Sequence, residues 1–269
     1  MQPAERATTA KRRAHSQSLE RGLAILSSFT SVQPLLGVSE LAREVGLNRS
    51  TTHRYIATLA ALGYLQQDAP TKKYRLGPRV LDLGFSAINS MELREVAAPH
   101  LRDLSDSTGF TVNMAILDDL DIVYVERVRS GQARQREIDL NLHVGARLPA
   151  YCTSLGKVLL AYLPPAEQRD RLARTTFTRR GPNTLTTRTA FAAELRKIRA
   201  QGFSINNEEL AYGLRSIAAP VLSHDGSAAA AINLAVHSTM LSVSDLVARW
   251  SPALKQTAAE ISARLGYRS

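Results

Sequence analysis

Residues 38–62 constrain the fold more than any other stretch of the chain, because they predict two short helices joined by a tight turn. In the first helix, Leu41 and Val45 lie four residues apart and share one face, and Ser39 is predicted to cap the N-terminus. Gly46 is predicted to end this helix, since glycine adopts the left-handed cap conformation at low cost.

The second helix of the pair is predicted to start after Asn48, which caps it, and its apolar residues recur at helical spacing at Ile56, Leu59 and Leu62. Its other face combines small donors with cations and carries no acid: Arg49, Ser50, Thr52, His53 and Arg54. Such a face suits the DNA major groove, where phosphates repel a carboxylate. A helical hairpin with a solvated polar face is the alternative interpretation of this stretch taken alone.

The residues that follow predict a basic β-hairpin, with two short strands within 63–77 and a turn at 68–71. Alternation places Lys73 and Arg75 on one face of the second strand and Tyr74 on the other. A basic hairpin directly after a recognition helix is typical of a wing that lies along the DNA backbone, whose phosphates attract cations. Together these segments favour a DNA-binding domain.

A further helix is predicted at about 18–30, with Leu19, Leu23 and Leu26 as its core face. This helix, the helix pair and the hairpin complete a winged helix-turn-helix domain at 16–77. The predicted DNA contacts are Ser39, Asn48, Arg49, Ser50, Thr51, Thr52, Arg54, Tyr55, Lys72, Lys73 and Arg75.

Charge is concentrated in the same part of the chain. Residues 1–78 hold eleven Lys and Arg against five Asp and Glu, and the 269-residue chain carries a net charge of +10. This bias favours a polyanionic partner such as double-stranded DNA. Residues 1–15 are interpreted as a disordered basic arm that contacts the duplex, or equally as a plain solvated tail.

From residue 78 onward the pattern changes. Residues 78–92 predict a linker helix that is apolar over more than one face, and it is expected to pack against a partner copy or against its own domain. Residues 93–269 alternate between helices and strands, with hairpins and a predicted third strand at 136–142. The fold class is therefore α+β, with a mostly antiparallel sheet in the second domain.

The motifs of several enzyme classes are missing. There is no complete nucleophile elbow around Ser154, no phosphate-binding glycine loop and no metal-ligand spacing among the histidines. Cys152 is interpreted as a buried structural thiol rather than a reactive one, and Glu208 and Glu209 as an exposed or helix-start pair rather than a carboxylate site. We therefore expect a protein without enzymatic activity, cofactor, metal or membrane span, located in the cytoplasm.

A loop at 149–153 leads into a helix that is predicted to run to 163. The backbone N–H groups of Ser154, Leu155 and Gly156 would lie in its first turn, where helices bind anions. The segment is interpreted either as a carboxylate-binding site or as a simple helix cap.

Four motifs resemble one known family over about residues 16–268. They are the segments Ser18–Leu26, Leu47–Arg54, Thr153–Ala161 and Asn206–Pro220. Together they resemble the IclR family of bacterial transcriptional regulators. The resemblance implies a winged helix-turn-helix, a linker helix and a GAF-like effector-binding domain. It also implies a homodimer or dimer of dimers on a palindromic operator, controlled by a small organic acid.

Within that family, residues 149–156 look most like the branch that regulates protocatechuate, 4-hydroxybenzoate and β-ketoadipate catabolism. The resemblance implies an effector carboxylate on the backbone at Ser154 and Leu155, next to Thr153 and Gly156. It implies apolar walls from Leu140, Leu148 and Leu214, with polar contacts from Asn206 and Ser216. In relatives that bind small keto acids, Asp and Cys stand at these last two positions.

Three arginines are candidates for a second effector anchor, or else for a solvated face: Arg134, Arg136 and Arg147. The expected function is effector-controlled operator binding. The alternatives are an IclR-type regulator of a different catabolic operon with an unrelated acid, an architectural DNA-binding protein without a ligand, and a small-molecule enzyme with an accessory DNA-binding module.

Overall fold

The computed structural model describes residues 16–30, 32–89, 92–130 and 142–268. The chain divides into two compact units, Met1–Ala87 and Ile88–Ser269. The predicted arm at 1–15 lies outside the described residues, as does most of the predicted strand at 136–142.

The first unit is built from helices and one small hairpin. Its elements in chain order are α1 (Gln17–Ser27), α2 (Val38–Glu44), α3 (Arg49–Ala61), β1 (Leu65–Gln67), β2 (Tyr74–Leu76) and α4 (Arg79–Asn89). The strands β1 and β2 pair antiparallel. Its core consists of Ile25, Phe29, Leu36, Leu41, Ile56, Leu65 and Tyr74. This is the predicted arrangement of three helices followed by a wing.

The caps explain where the helices of the turn start and end. Asn48 accepts a hydrogen bond from the Thr51 N–H at 2.8 Å and caps α3, as predicted. The prediction that Ser39 caps α2 is wrong: Gly37 is the N-cap, and its N–H donates to Glu40 Oε2 at 2.6 Å. Gly46 has a φ of +67°, which glycine adopts without a Cβ clash and which reverses the chain between α2 and α3.

The predicted core face of α1 is only partly correct: Leu26 packs against the core, but Leu19 and Leu23 do not. Leu19 and Leu23 are 63% and 55% exposed, whereas Ile25 and Phe29 are buried. Leu62, predicted on the buried face of α3, is also exposed. The helical spacing was correct, but α1 carries two apolar stripes and only one of them faces its own core.

Among the described residues, the second unit forms a six-stranded antiparallel sheet between two layers of helices. Its elements are α5 (Glu92–Thr108), β3 (Thr111–Asp118), β4 (Asp121–Val128), β5 (Arg147–Pro149), α6 (Ser154–Ala161), α7 (Pro165–Arg174), α8 (Arg188–Gln201), β6 (Ser204–Asn207), β7 (Leu214–Leu222), β8 (Ala228–His237) and α9 (Val243–Arg264). A 3₁₀ turn at Ala150–Cys152 precedes α6. The strand order is β5-β4-β3-β8-β7-β6.

Each face of the sheet has its own core. On one face, α5 and α9 pack against residues such as Val112, Ile217 and Ile232. On the other, α6 and α8 pack against Ala115, Ala218 and Ala231, whose small side chains let the helices approach closely. The α+β class and the mostly antiparallel sheet agree with the prediction, while β5 was not predicted.

Candidate DNA-binding surface and effector cavity

The start of α3 exposes the residues that the sequence assigned to DNA. Arg49, Ser50 and Arg54 are exposed, and α3 contains no acid. The Ser50 hydroxyl donates to Asn48 Oδ1 at 2.9 Å, so the capping residue also orients its neighbour. The surface therefore offers cations and a hydroxyl with nothing that repels phosphate.

Thr52 does not belong to this surface. Its side chain is 0% exposed, and its hydroxyl donates to the Asn48 carbonyl oxygen at 3.0 Å. We therefore remove Thr52 from the predicted DNA contacts, because a buried and satisfied hydroxyl cannot reach a groove.

A polar cleft between α1 and α3 adds residues that the sequence prediction did not include. Its volume is about 310 Å³. Hydrogen bonds with Ser18 and then Arg21 hold the pKa of Tyr55 below its usual value. Two guanidinium groups and four hydroxyls line the cleft, from Ser18, Arg21, Thr51, Arg54, Tyr55 and Thr58. Arg21, one turn into α1, is a cation that the sequence analysis does not assign to the DNA-binding surface.

The cations of the wing differ in their side-chain partners. Lys73 Nζ lies 3.1 Å from both carboxylate oxygens of Glu40, so this lysine is ion-paired with α2. Arg75 donates to the neutral Gln66 side chain at 3.2 Å, and Lys72 is exposed at the turn with a φ of +58°. Arg75 and Lys72 are therefore better placed than Lys73 to meet phosphates.

A small cavity in the second unit lies between α6 and the sheet. Its volume is about 20 Å³, which is room for roughly one water-sized group. It is lined by Asn113, Tyr124, Leu142, Thr153, Ser154, Asn206, Leu210, Leu214, Ser216, Asn233 and Ala235. These described lining residues are all neutral, and burial raises the pKa of Tyr124 to about 12, which keeps its phenol protonated.

The start of α6 is fixed tightly beside this cavity. The Thr153 hydroxyl caps the helix by accepting from the Gly156 N–H at 3.0 Å. A Cβ on Gly156 would lie 2.3 Å from the backbone of Ala150, so only glycine allows the 3₁₀ turn to pack here. The N–H groups of Ser154 and Leu155 lie in the first helical turn, which has no acceptors of its own.

Both units of the chain match models of one protein family. A family model described as the IclR helix-turn-helix domain matches residues 18–69. A second, described as the C-terminal part of the bacterial transcriptional regulator IclR, matches residues 85–263. The chain belongs to the IclR family.

Three curated IclR-family relatives cover most of the chain. XynR of Escherichia coli is 34% identical over 93% of this chain and 98% of its own. The Pca regulon regulatory protein of Pseudomonas putida is 36% identical over 88% of this chain and 80% of its own. The p-hydroxybenzoate hydroxylase transcriptional activator of Acinetobacter baylyi is 33% identical over 90% and 89%. The last two confirm the resemblance to the aromatic-acid branch.

Solved structures agree with the fold. A putative transcriptional regulator from Rhodococcus sp. RHA1 is 37% identical, covers 93% of this chain and 98% of its own, and superposes with a TM-score of 0.79. An IclR homologue from Microbacterium hydrocarbonoxydans, crystallised with 4-hydroxybenzoate, is 24% identical with a TM-score of 0.78, covering 93% and 99%. This second likeness concerns the fold alone.

The structure brings together most of the residues that the sequence analysis predicts to bind an effector. Thr153, Ser154, Asn206, Leu214 and Ser216 line the cavity. Two others do not contribute side chains: Leu155 is buried in the core under α6, and Leu148 packs at the edge of the same core. Leu140, Arg134 and Arg136 lie outside the described residues.

Arg147 is the third arginine that the sequence proposed as an effector anchor. Its guanidinium lies 2.7 Å from Asp118 and 3.6 Å from Asp121, at the exposed end of the β3–β4 hairpin. It does not line the cavity, so the interpretation as a solvated surface residue is the better one.

The sequence prediction missed Asn113, Tyr124 and Asn233 in the cavity. Asn113 and Asn233 are opposite each other on β3 and β8, and both are at least 95% buried. A signal was present, since each asparagine interrupts an otherwise apolar strand. A buried amide in such a run needs hydrogen-bond partners and is therefore a candidate site residue.

A buried ion pair lies behind the cavity. Lys157 Nζ is 2.5 Å from Glu209 and 3.5 Å from Glu194, and Lys157 is only 1% exposed. The interpretation of Glu209 as an exposed or helix-start residue is wrong. Its N–H donates to Asn206 Oδ1 at 3.1 Å, and the Asn206 amide donates to the Cys152 carbonyl at 2.7 Å. The Lys157–Glu209 pair is therefore connected to the cavity lining through the hydrogen bond between Glu209 and Asn206.

The environment of the single cysteine agrees with a structural role. Cys152 is fully buried, and burial raises the pKa of its thiol to about 12. Within the described ranges, no cluster of His, Cys, Asp and Glu is suited to a metal ion. No helix in the same part of the chain is long and apolar enough to cross a membrane.

Proposed function

We propose that this IclR-family regulator binds a palindromic operator through α3 and the wing, as a homodimer or dimer of dimers, in the cytoplasm. The observation that carries this proposal is the exposed start of α3, where Arg49, Ser50 and Arg54 stand on a helix without an acid. Helix residues near an N-terminus contact base edges, while flanking cations contact phosphates. The cleft with Arg21 and the wing residue Arg75 supply such flanking cations.

The effector is a small carboxylate, in our proposal an aromatic acid or β-keto acid of the protocatechuate and β-ketoadipate pathway. The relatives named for the Pca regulon and for p-hydroxybenzoate hydroxylase favour this class. The cavity supports it through the first turn of α6 and the amides of Asn206 and Asn233. The effector is bound rather than converted, in keeping with relatives that are named as regulators.

The size of the cavity suggests how binding is communicated. An aromatic acid is much larger than about 20 Å³, so the walls must separate when it enters. A ligand that requires an expanded cavity favours the expanded state of the unit, and this difference in affinity is what an effector needs to change DNA binding.

A second candidate is a regulator of another catabolic operon with a different small acid. XynR is about as similar to this chain as the aromatic-acid relatives are, and this similarity favours the second candidate. Both candidates share the DNA-binding part and differ only in the effector.

A footprint on the DNA upstream of the protein's own gene tests the proposal, at one stated salt concentration because phosphate contacts are salt-dependent. We expect a protected palindrome whose strength or extent changes with protocatechuate, 4-hydroxybenzoate or β-ketoadipate. The Arg54→Ala variant is the matched control and should lose the protection. Protection that ignores all three acids would exclude the proposed effector class, and absence of any specific protection would exclude operator binding there.

A further inference from the structure

A chain of polar side chains runs from β4 through the sheet to the effector cavity. Arg127 Nη1 donates to Asn113 Oδ1 at 2.7 Å, and Asn113 Nδ2 donates to Asn233 Oδ1 at 2.8 Å. Asn233 Nδ2 points to Ser154 Oγ at 3.5 Å, and that hydroxyl lies 2.7 Å from Ser216 Oγ. We call these five residues the relay.

The register of the sheet builds the first half of the relay. Asn113 on β3 is directly opposite Arg127 on β4 and directly opposite Asn233 on β8. Directly opposed residues on one face of a sheet bring their side chains into contact. The relay is therefore a consequence of strand pairing, and a shift of one residue in either pairing would break it.

Arg127 determines the direction of the hydrogen bonds that lead from β4 to Ser154. A guanidinium has only donors, so Asn113 must present its oxygen to Arg127 and its amide nitrogen to Asn233. Asn233 is then forced to donate to Ser154 Oγ, and either hydroxyl of the Ser154–Ser216 pair can donate to the other. A chain of aligned donors in a buried site polarises each member in the same direction.

The relay connects the neutral cavity to the positive charge of Arg127. A carboxylate needs a positive potential when it leaves water, yet the described lining residues are all neutral. The four relay members in the lining are at least 95% buried, so solvent screens the Arg127 charge little along this path. Ser154 also begins α6, so the end of the relay and the helix N-terminus meet at one place.

We propose that Arg127 is a positioning residue for the effector, acting through Asn113 and Asn233 to make the Ser154 end of the cavity select a carboxylate over an uncharged group. This inference rests on the proposed carboxylate effector and names the residues that give the site its charge preference. Arg127 itself does not touch the effector.

The test compares 4-hydroxybenzoate with 4-hydroxybenzamide, an uncharged ligand of nearly the same shape, by calorimetric titration of the full chain. The wild-type protein should prefer the acid. Arg127→Met should weaken binding of the acid about tenfold and leave the amide nearly unchanged, since a charge-assisted interaction is lost. The ratio of the two affinities is the readout, because a merely structural defect would weaken both ligands alike.

Further variants keep the test decisive. Asn113→Asp preserves the shape but neutralises the relay and removes its donor to Asn233, so it should also lower the preference for the acid. Combining the two substitutions should add little to either one, as expected for members of one chain. Arg147→Met removes a cation from the same unit outside the relay and should leave the ratio unchanged.

Each outcome has a separate meaning. An unchanged ratio in folded Arg127→Met and Asn113→Asp variants would overturn the relay while leaving the carboxylate effector intact. Failure of the wild-type protein to prefer the acid over the amide would overturn the proposed effector chemistry itself. An equal loss of the ratio in Arg147→Met would show that the net charge of the unit, and not the relay, sets the preference.

Discussion

At the level of single residues, the buried pair of Lys157 and Glu209 makes the stability of the second unit depend on pH. Burial raises the pKa of Glu209 although Lys157 acts in the opposite direction, and Glu209 Oε2 is buried without a hydrogen-bond partner in the described structure. Because the folded-state pKa of this acid exceeds its unfolded value, ionisation of Glu209 costs stability as the pH rises between the two values. Lys157 offsets that cost.

Removal of Lys157 should therefore destabilise the protein in a pH-dependent manner. We expect Lys157→Met to cost about 3–5 kcal/mol at about pH 8 and less at about pH 5, because the raised pKa of Glu209 makes the unpaired carboxylate easier to protonate as the pH falls. Unfolding can be followed through Trp250, the single tryptophan, which lies on α9 of this unit.

The double variant Lys157→Met/Glu209→Gln is the matched control. It removes the unpaired carboxylate and should recover much of the stability at about pH 8 and abolish most of the pH dependence. A cost of Lys157→Met that is the same at both pH values would contradict the role assigned to Glu209 and point to Glu194 or to packing alone.

At the level of elements, the contact of α6 with the 3₁₀ turn depends on the absence of a side chain at Gly156. Gly156→Ala would place a Cβ 2.3 Å from the Ala150 backbone, and we expect it to cost at least about 1–3 kcal/mol and to weaken effector binding. Thermal unfolding monitored by circular dichroism measures the effect, because this signal reports on the helices of both units.

Gly84→Ala serves as the comparison for that substitution. Nothing lies within 4 Å of a Cβ at Gly84, which is exposed on α4, so alanine there should be neutral or stabilise its helix by up to about 1 kcal/mol. A Gly156→Ala protein as stable as Gly84→Ala would show that the turn can move away from α6 freely.

The wing makes a prediction that separates its two cations. Arg75→Ala should reduce the dependence of log Kd on log salt by about one unit, as expected for one lost phosphate contact. Lys73→Ala should reduce it by less, because Lys73 is already paired with Glu40. Electrophoretic mobility shifts at several salt concentrations give both slopes, and a larger effect at Lys73 would mean that DNA displaces Glu40.

Sequence periodicity predicts which segments form helices and strands, but it does not predict which residues of distant segments contact each other. The start of α3 follows from its helical spacing and its Asn48 cap, which the sequence shows directly. Glu209 was misassigned because its partner Lys157 is 52 residues away, and no local pattern reports such a contact. The relay was missed for the same reason, since Asn113 and Asn233 meet only through the pairing of β3 with β8.

At the level of the whole molecule, we propose that the exposed apolar face of α1 contributes to self-association. Leu19 and Leu23 share one face four residues apart, and both are exposed. Leu81 and Leu83 on α4 are exposed too, at 60% and 58%. Exposed apolar side chains that share a helix face, such as Leu19 and Leu23, are candidates for an association site, and the proposed palindromic operator calls for two copies.

We therefore expect Leu19→Ser/Leu23→Ser to weaken self-association and to reduce affinity for a palindromic operator more than for a single half-site. Sedimentation velocity and operator titration measure the two effects. Leu62→Ser removes a leucine of comparable exposure from α3, outside the α1 face, and should leave the sedimentation coefficient unchanged. Equal behaviour of both variants would exclude α1 from the interface.

The pairing of β3 with β8 also has a consequence for the order in which the chain matures during synthesis. The first unit is complete once residue 87 has left the ribosome, and its contacts are local. The candidate effector cavity is lined in part by Asn233 and Ala235 of β8. It is therefore incomplete until β8, which ends at His237, has been synthesised. A nascent chain therefore completes the compact unit that holds α3 well before it completes the candidate cavity, and premature termination between these points would leave the proposed DNA-binding unit without an effector site.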